Sequence, residues 1–154
     1  MAKARLNREN TSDPSASSQL IANGATLFEN ACSKHQQGDI SSAEQLYQQA
    51  VQADPNLYGA WRNLGALLRQ KGKTLEARHC TEHALRLDSS DGSLWGNYGN
   101  VLRDQGLLEE SCKAFREGLQ RAPGSKGLLQ GLAISLGHLG DHQGRDRGVH
   151  AGDA

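Results

Sequence analysis

The feature that most constrains this chain is a pattern that returns every 34 residues. In residues 93–123, SLWGNYGNVLRDQGLLEESCKAFREGLQRAP, four residues stand at i, i+3, i+4 and i+7: Trp95, Tyr98, Gly99 and Leu102. That spacing is one face of a helix. Gly106 interrupts the run. A second amphipathic run carries Ser111, Phe115 and Gly118 inward, and Pro123 stops it. One period earlier come Trp61, Leu64, Gly65 and Leu68, then Gly72, Ala77 and Ala84. One further back come Leu27, Ala31, Ala43, Tyr47, Ala50 and Pro55. A fixed period of this kind predicts stacked helical hairpins, because no single hairpin buries its apolar face alone.

Side-chain size predicts how each hairpin closes. Ala31, Gly65, Gly99 and Ala133 share one position of the period and face Ala43, Ala77 and Ser111 on the partner helix. A large residue at either place would push the helices apart. The expected helices run from Ser17 or Ser18 to about Gln37, from Ser41 or Ser42 to near Ala53, and then over 57–70, 74–87, 92–105, 108–121 and 125–139. Residues 1–17 are polar and read as a disordered arm. Gly140 reads as a turn. Gly144, Gly148 and Gly152 follow in quick succession, so 141–154 reads as a flexible tail and not as another helix. The helix over 125–139 is then too apolar to end on water. Its Leu129, Leu132, Ala133 and Leu136 are expected to pack on Phe115 and Leu119. Leu128, Ile134, Leu136 and Leu139 would stay partly uncovered, a place for self-association.

These residues resemble the tetratricopeptide repeat family: a large residue, Leu-Gly or its equivalent, an aromatic, then Ala and Phe on the second helix and a closing Pro. Trp95, Tyr98, Gly99, Leu102, Phe115 and Pro123 match best. Thr81 stands for the aromatic and Ser89 for the proline in the repeat before, and Asn30 and His35 take apolar places in the first. The resemblance implies an all-α, right-handed superhelical solenoid over 18–140. Its repeats span about 24–57, 58–91 and 92–125, with a half repeat at 126–140. It also implies a concave groove lined by the first helices, with Phe28, Gln36, Arg62, Asn63, Arg69, Asn97, Asn100 and Arg103 facing it. Cys32 falls there as well.

Asn63 and Asn97 lie one period apart, and an amide offers both a donor and an acceptor to an extended peptide backbone. The three arginines add planar donors for carboxylates. W-R-N-L-G and W-G-N-Y-G-N are similar to the repeats of O-linked N-acetylglucosaminyl transferases. The two-carboxylate clamp of chaperone-binding repeats is a poorer match, since Phe28 and Cys32 occupy its first-repeat positions.

Lys+Arg and Asp+Glu are 17 each, so the chain lacks the basic excess that nucleic acid or an anionic membrane requires. No apolar run suits a bilayer or a signal peptide, and Asn10-Thr11-Ser12 reads as a chance sequon. Cys32, Cys80 and Cys112 form no C-x-x-C pair and read as free thiols of a reducing, cytoplasmic compartment. His79 and His83 share a helical spacing in H-C-T-E-H but lack the pattern of a metalloprotease, and they are expected on the solvated outer side. No metal, cofactor or catalytic motif is expected. The reading is a non-catalytic scaffold that binds a protein or an extended peptide. The alternative is the substrate-presenting repeat region of a longer transferase whose catalytic part lies outside this chain.

Overall fold

The computed structural model describes the backbone of residues 14–151 and the side chains of 15–147. The rest of the expected arm, with its sequon, lies outside the described residues. Among the described residues the fold is all-α: α1 (Pro14–Gln36), α2 (Ile40–Ala53), α3 (Tyr58–Gln70), α4 (Thr74–Leu87), α5 (Gly92–Asp104), α6 (Leu108–Arg121) and α7 (Lys126–Ala151). Helices α1 and α2, α3 and α4, and α5 and α6 pair as antiparallel hairpins, as a solenoid of this type requires. The chain divides into two compact units, Met1–Leu57 and Tyr58–Ala154.

The same device turns each hairpin. Gly38, Gly72 and Gly106 adopt φ of 81°, 78° and 78°, a left-handed conformation that costs glycine little. The following N–H reaches back five residues: Asp39 to the Lys34 carbonyl at 3.0 Å, Lys73 to Leu68 at 2.9 Å, and Leu107 to Leu102 at 2.9 Å. These bonds satisfy carbonyls that the helix end leaves open. Helix α1 starts at Pro14, four residues before the expected Ser18, because a proline suits a first turn where no N–H is needed.

In the first unit, Ala31, Ala43, Tyr47 and Ala50 form the buried seam of α1 on α2. In the second unit the expected close crossings are present. A Cβ on Gly65 would stand 2.8 Å from Thr81 Oγ1, and one on Gly99 would stand 2.8 Å from the Phe115 ring. Ser111 Oγ donates to the Gly99 carbonyl at 2.7 Å. Thr81 fits the aromatic's place because its hydroxyl is satisfied by the Ala77 carbonyl at 2.7 Å. The tryptophans are only half-buried. Trp61 stacks on His83 with ring centroids 4.0 Å apart, and Trp95 lies under the Arg121 guanidinium. Tyr47 and Phe115 are the largest fully buried side chains.

Helix α7 corrects two expectations. It does not turn at Gly140 but runs to Ala151. Gly140 lacks the positive φ of the turn glycines, and residues 141–154 are polar or glycine apart from Val149 and two alanines, too little apolar surface to reward a folded-back helix. Its packing edge is also different. Leu128, Gly131 and Ser135 are buried, whereas Leu129 is 50% exposed, Leu136 is 41% exposed and Ala133 is exposed. The reason lies in the repeat. Leu128 and Ser135 stand one period after Leu94 and Val101, which are buried in α5. Leu129, Ala133 and Leu136 stand one period after Trp95, Gly99 and Leu102. In α5 that face carries Gly99 against Phe115 of the hairpin's own second helix, which α7 lacks. Leu128 instead fits between Gly96 and Gly118, and Ser135 Oγ meets Ser111 Oγ at 2.9 Å.

Candidate peptide-binding face

Helices α3, α5 and α7 lie side by side in the second unit. Of the expected residues, Arg62, Asn63 and Arg69 lie on α3, and Asn97, Asn100 and Arg103 on α5, all half-buried. Phe28 and Gln36 belong to α1 in the first unit. Phe28 is half-buried with its ring 6.1 Å from that of Tyr47, and Gln36 is exposed. The structure thus gathers six of the eight expected residues within one unit.

The arginines are tied up differently from what their sequence positions imply. Asp91 caps α5 by accepting from the Ser93 N–H at 2.9 Å. It also accepts from the Tyr58 hydroxyl at 2.8 Å and lies 3.5 Å from Arg62 Nε, while Arg62 Nη2 donates to Ser93 Oγ at 3.1 Å. Burial would raise the Asp91 pKa, but the Ser93 and Tyr58 hydrogen bonds and the Arg62 charge outweigh it and hold the carboxyl below its ordinary value. Burial, followed by the bond to Asp91, pushes the Tyr58 hydroxyl well up. Arg69 Nε donates to Asp104 Oδ2 at 2.7 Å. Arg103 Nη2 donates to Asn100 Oδ1 at 2.8 Å and Nη1 to the Gly131 carbonyl at 3.4 Å. Each arginine therefore fastens one first helix to the next or to its own neighbour. Sequence reading missed these ties, although Asp104 stands about one period after the Arg69 it meets.

Elsewhere the side chains are structural. The Tyr47 hydroxyl donates to Cys32 Sγ at 3.6 Å and lies 3.3 Å from His35 Nδ1. The polar His35 at an apolar position is thus explained: it serves a buried phenol. Cys32, Cys80 and Cys112 are free thiols, and burial pushes Cys80 up to about 11. His79 is exposed, as expected, with its ring edge-on to Trp61 at 6.2 Å, whereas His83 is half-buried and stacks on Trp61 at 4.0 Å. Burial, followed by the Arg86 charge, pulls the His83 pKa down. Among the described residues no cluster of three or more metal-ligating side chains occurs, and no helix is long and apolar enough to cross a membrane.

Tetratricopeptide repeat models match residues 27–57, 46–79 and 67–126, an unbroken stretch from 27 to 126. No curated protein matches the sequence. Solved structures align over most of the chain. The first TPR of Spaghetti (RPAP3) bound to the HSP90 peptide SRMEEVD aligns with a TM-score of 0.74 at 20% identity, covering 78% of this chain and 95% of that one. The second TPR domain of human RPAP3 in complex with an HSP70 peptide aligns with a TM-score of 0.69 at 19% identity, covering 77% and 97%. At these identities the likeness is one of fold. A mutant of the Thermobaculum terrenum O-GlcNAc transferase aligns with a TM-score of 0.69 at 25% identity, covering 77% of this chain and 23% of that one.

Proposed function

The chain belongs to the tetratricopeptide repeat family, and from that premise we propose that it is a non-catalytic scaffold. It holds an extended peptide or a protein partner along its first helices. The observation that carries this reading is the matched placement of Asn63 on α3 and Asn97 on α5, one repeat apart, with Asn100 one turn on. Amides in that arrangement can pair with peptide groups spaced along an extended backbone and do not read its side chains. Phe28 and Gln36 hold the corresponding first-helix positions of the first repeat. The RPAP3 domains, which share the fold, are bound to peptides, and this supports a peptide as the partner. The partner is protein, not nucleic acid, given the balanced charge, and the free thiols fit a reducing, cytoplasmic setting. Replacing Asn63 and Asn97 together by Ala is expected to weaken binding of peptides selected from a display library while helicity stays unchanged. Equal affinity for those peptides would end the reading.

The transferase alignment supports a second role, presentation of protein substrates to a catalytic part outside this chain. The uncovered Leu129, Ile134 and Leu136 of α7 favour self-association. Sedimentation across concentrations, repeated with Leu129→Lys and Leu136→Lys, tests it. A parent that stays monomeric at every concentration would refute it.

A further inference from the structure

Resting on the peptide-binding reading, we propose that Arg103 is the charge-reading position of the face and takes the carboxylate of an aspartate or glutamate side chain in the bound peptide. Arg62 has Asp91 at 3.5 Å, and Arg69 has Asp104 at 2.7 Å. Arg103 stands one period after Arg69, and the residue one period after Asp104 is His138, which is exposed and carries no carboxylate. Asp104, next to Arg103 in sequence, is already engaged by Arg69. Among the described residues Arg103 therefore has no carboxylate partner. It turns to two neutral acceptors, the Asn100 amide and the Gly131 carbonyl.

The guanidinium is nevertheless held in place. It lies 5.8 Å from the centre of the Phe115 ring, and that ring is itself fixed between Gly99 and Gly131. Two of its five N–H donors are taken by the neutral acceptors. Its remaining nitrogen, Nε, is not buried without a partner, so its N–H faces water or a ligand. A half-buried, oriented cation with no counter-charge gains from a carboxylate more than a solvated surface arginine does, because the carboxylate supplies the missing charge and accepts two parallel hydrogen bonds. Asn100 both orients the guanidinium and neighbours the asparagine pair, so the peptide gripped by Asn63 and Asn97 passes Arg103.

The probe is an octapeptide display library with capped ends, so that only side chains can supply a carboxylate. Selection on the whole chain is expected to enrich Asp or Glu at one position. Converting that residue to Asn or Gln in a selected peptide is expected to weaken binding roughly tenfold. In Arg103→Gln the acidic and amide peptides are expected to bind alike, and the salt dependence of the acidic peptide to vanish. Arg69→Gln, whose guanidinium is occupied by Asp104, is expected to keep the preference. Arg103→Lys retains the charge and serves if Arg103→Gln unfolds; it is expected to keep a weaker preference. Selection of peptides with no acidic position, or a preference that survives Arg103→Gln or is unchanged in Arg103→Lys, overturns the proposal and leaves the groove intact. A library from which nothing binds overturns the groove reading and the proposal together.

Discussion

Replacing Gly131 by alanine adds one methyl group where the structure has no room for it. The new Cβ would stand 2.3 Å from Phe115 Cε1 and 2.5 Å from Cζ. An ordinary carbon–carbon contact is about 3.5–4.0 Å, so one of the two must move by more than about 1 Å. The ring cannot retreat, because a Cβ on Gly99 would already be within 2.8 Å of its other edge and Phe115 is 1% exposed. Helix α7 must lift instead, which also separates Ser135 from Ser111. Overpacking of this kind costs roughly 1–3 kcal/mol. Against it stands the helix preference of Ala over Gly, about 1 kcal/mol. Gly137 provides the control, since the same substitution there meets nothing within 4 Å and keeps only the favourable part. Urea unfolding followed by circular dichroism is expected to show Gly137→Ala more stable than the parent by about 1 kcal/mol and Gly131→Ala less stable than Gly137→Ala by roughly 1–3 kcal/mol. If the two alanine variants unfold together, α7 does not rest on Phe115.

Phe115→Ala is expected to cost about 3–5 kcal/mol in the same assay. Trp61→Ala, at a half-buried ring, is expected to cost less, and equal losses would contradict the burial described. Gly106→Ala is expected to cost roughly 1–2 kcal/mol through backbone strain alone, since space is open there, and no loss would mean the turn is not left-handed. His83 has its pKa lowered by burial and by the Arg86 and His79 charges, so folding favours its neutral ring. Its contribution to stability is present above the ordinary value of 6.5 and is lost as pH falls through the lowered folded value. Melting temperature is expected to fall between pH 7 and pH 5, and His83→Gln to flatten that slope; an unchanged slope would remove the stacked His83 as its cause.

The hairpins were legible because their causes are local and repeated. The glycine at each turn and the small residue at each crossing recur at a fixed interval, Tyr47, Thr81 and Phe115 fill the space beside the crossings, and α4 (Thr74–Leu87) and α6 (Leu108–Arg121) begin and end where the pattern places them. For the candidate positions, the ion pairing could not be read from the repeat. That Arg69 is neutralised by Asp104 and Arg103 is not depends on which side chains meet across helices 35 residues apart in the chain.

By itself the sequence determined the hairpin, since helical periodicity, left-handed turn glycines and close-packing sizes act within one repeat. Only the tertiary structure decided the end of the second unit. Whether Gly140 turns the chain depends on whether residues 141–154 could cover the exposed leucines of α7, and their largest apolar side chain is that of Val149. Which edge of α7 is buried depends on what α5 and α6 offer it: Gly96, Gly118, Ser111 and Phe115 accept Leu128, Ser135 and Gly131. The face carrying Leu129, Ala133 and Leu136, identical in period to buried faces elsewhere, stays in water because burial requires a second helix and not merely an apolar pattern.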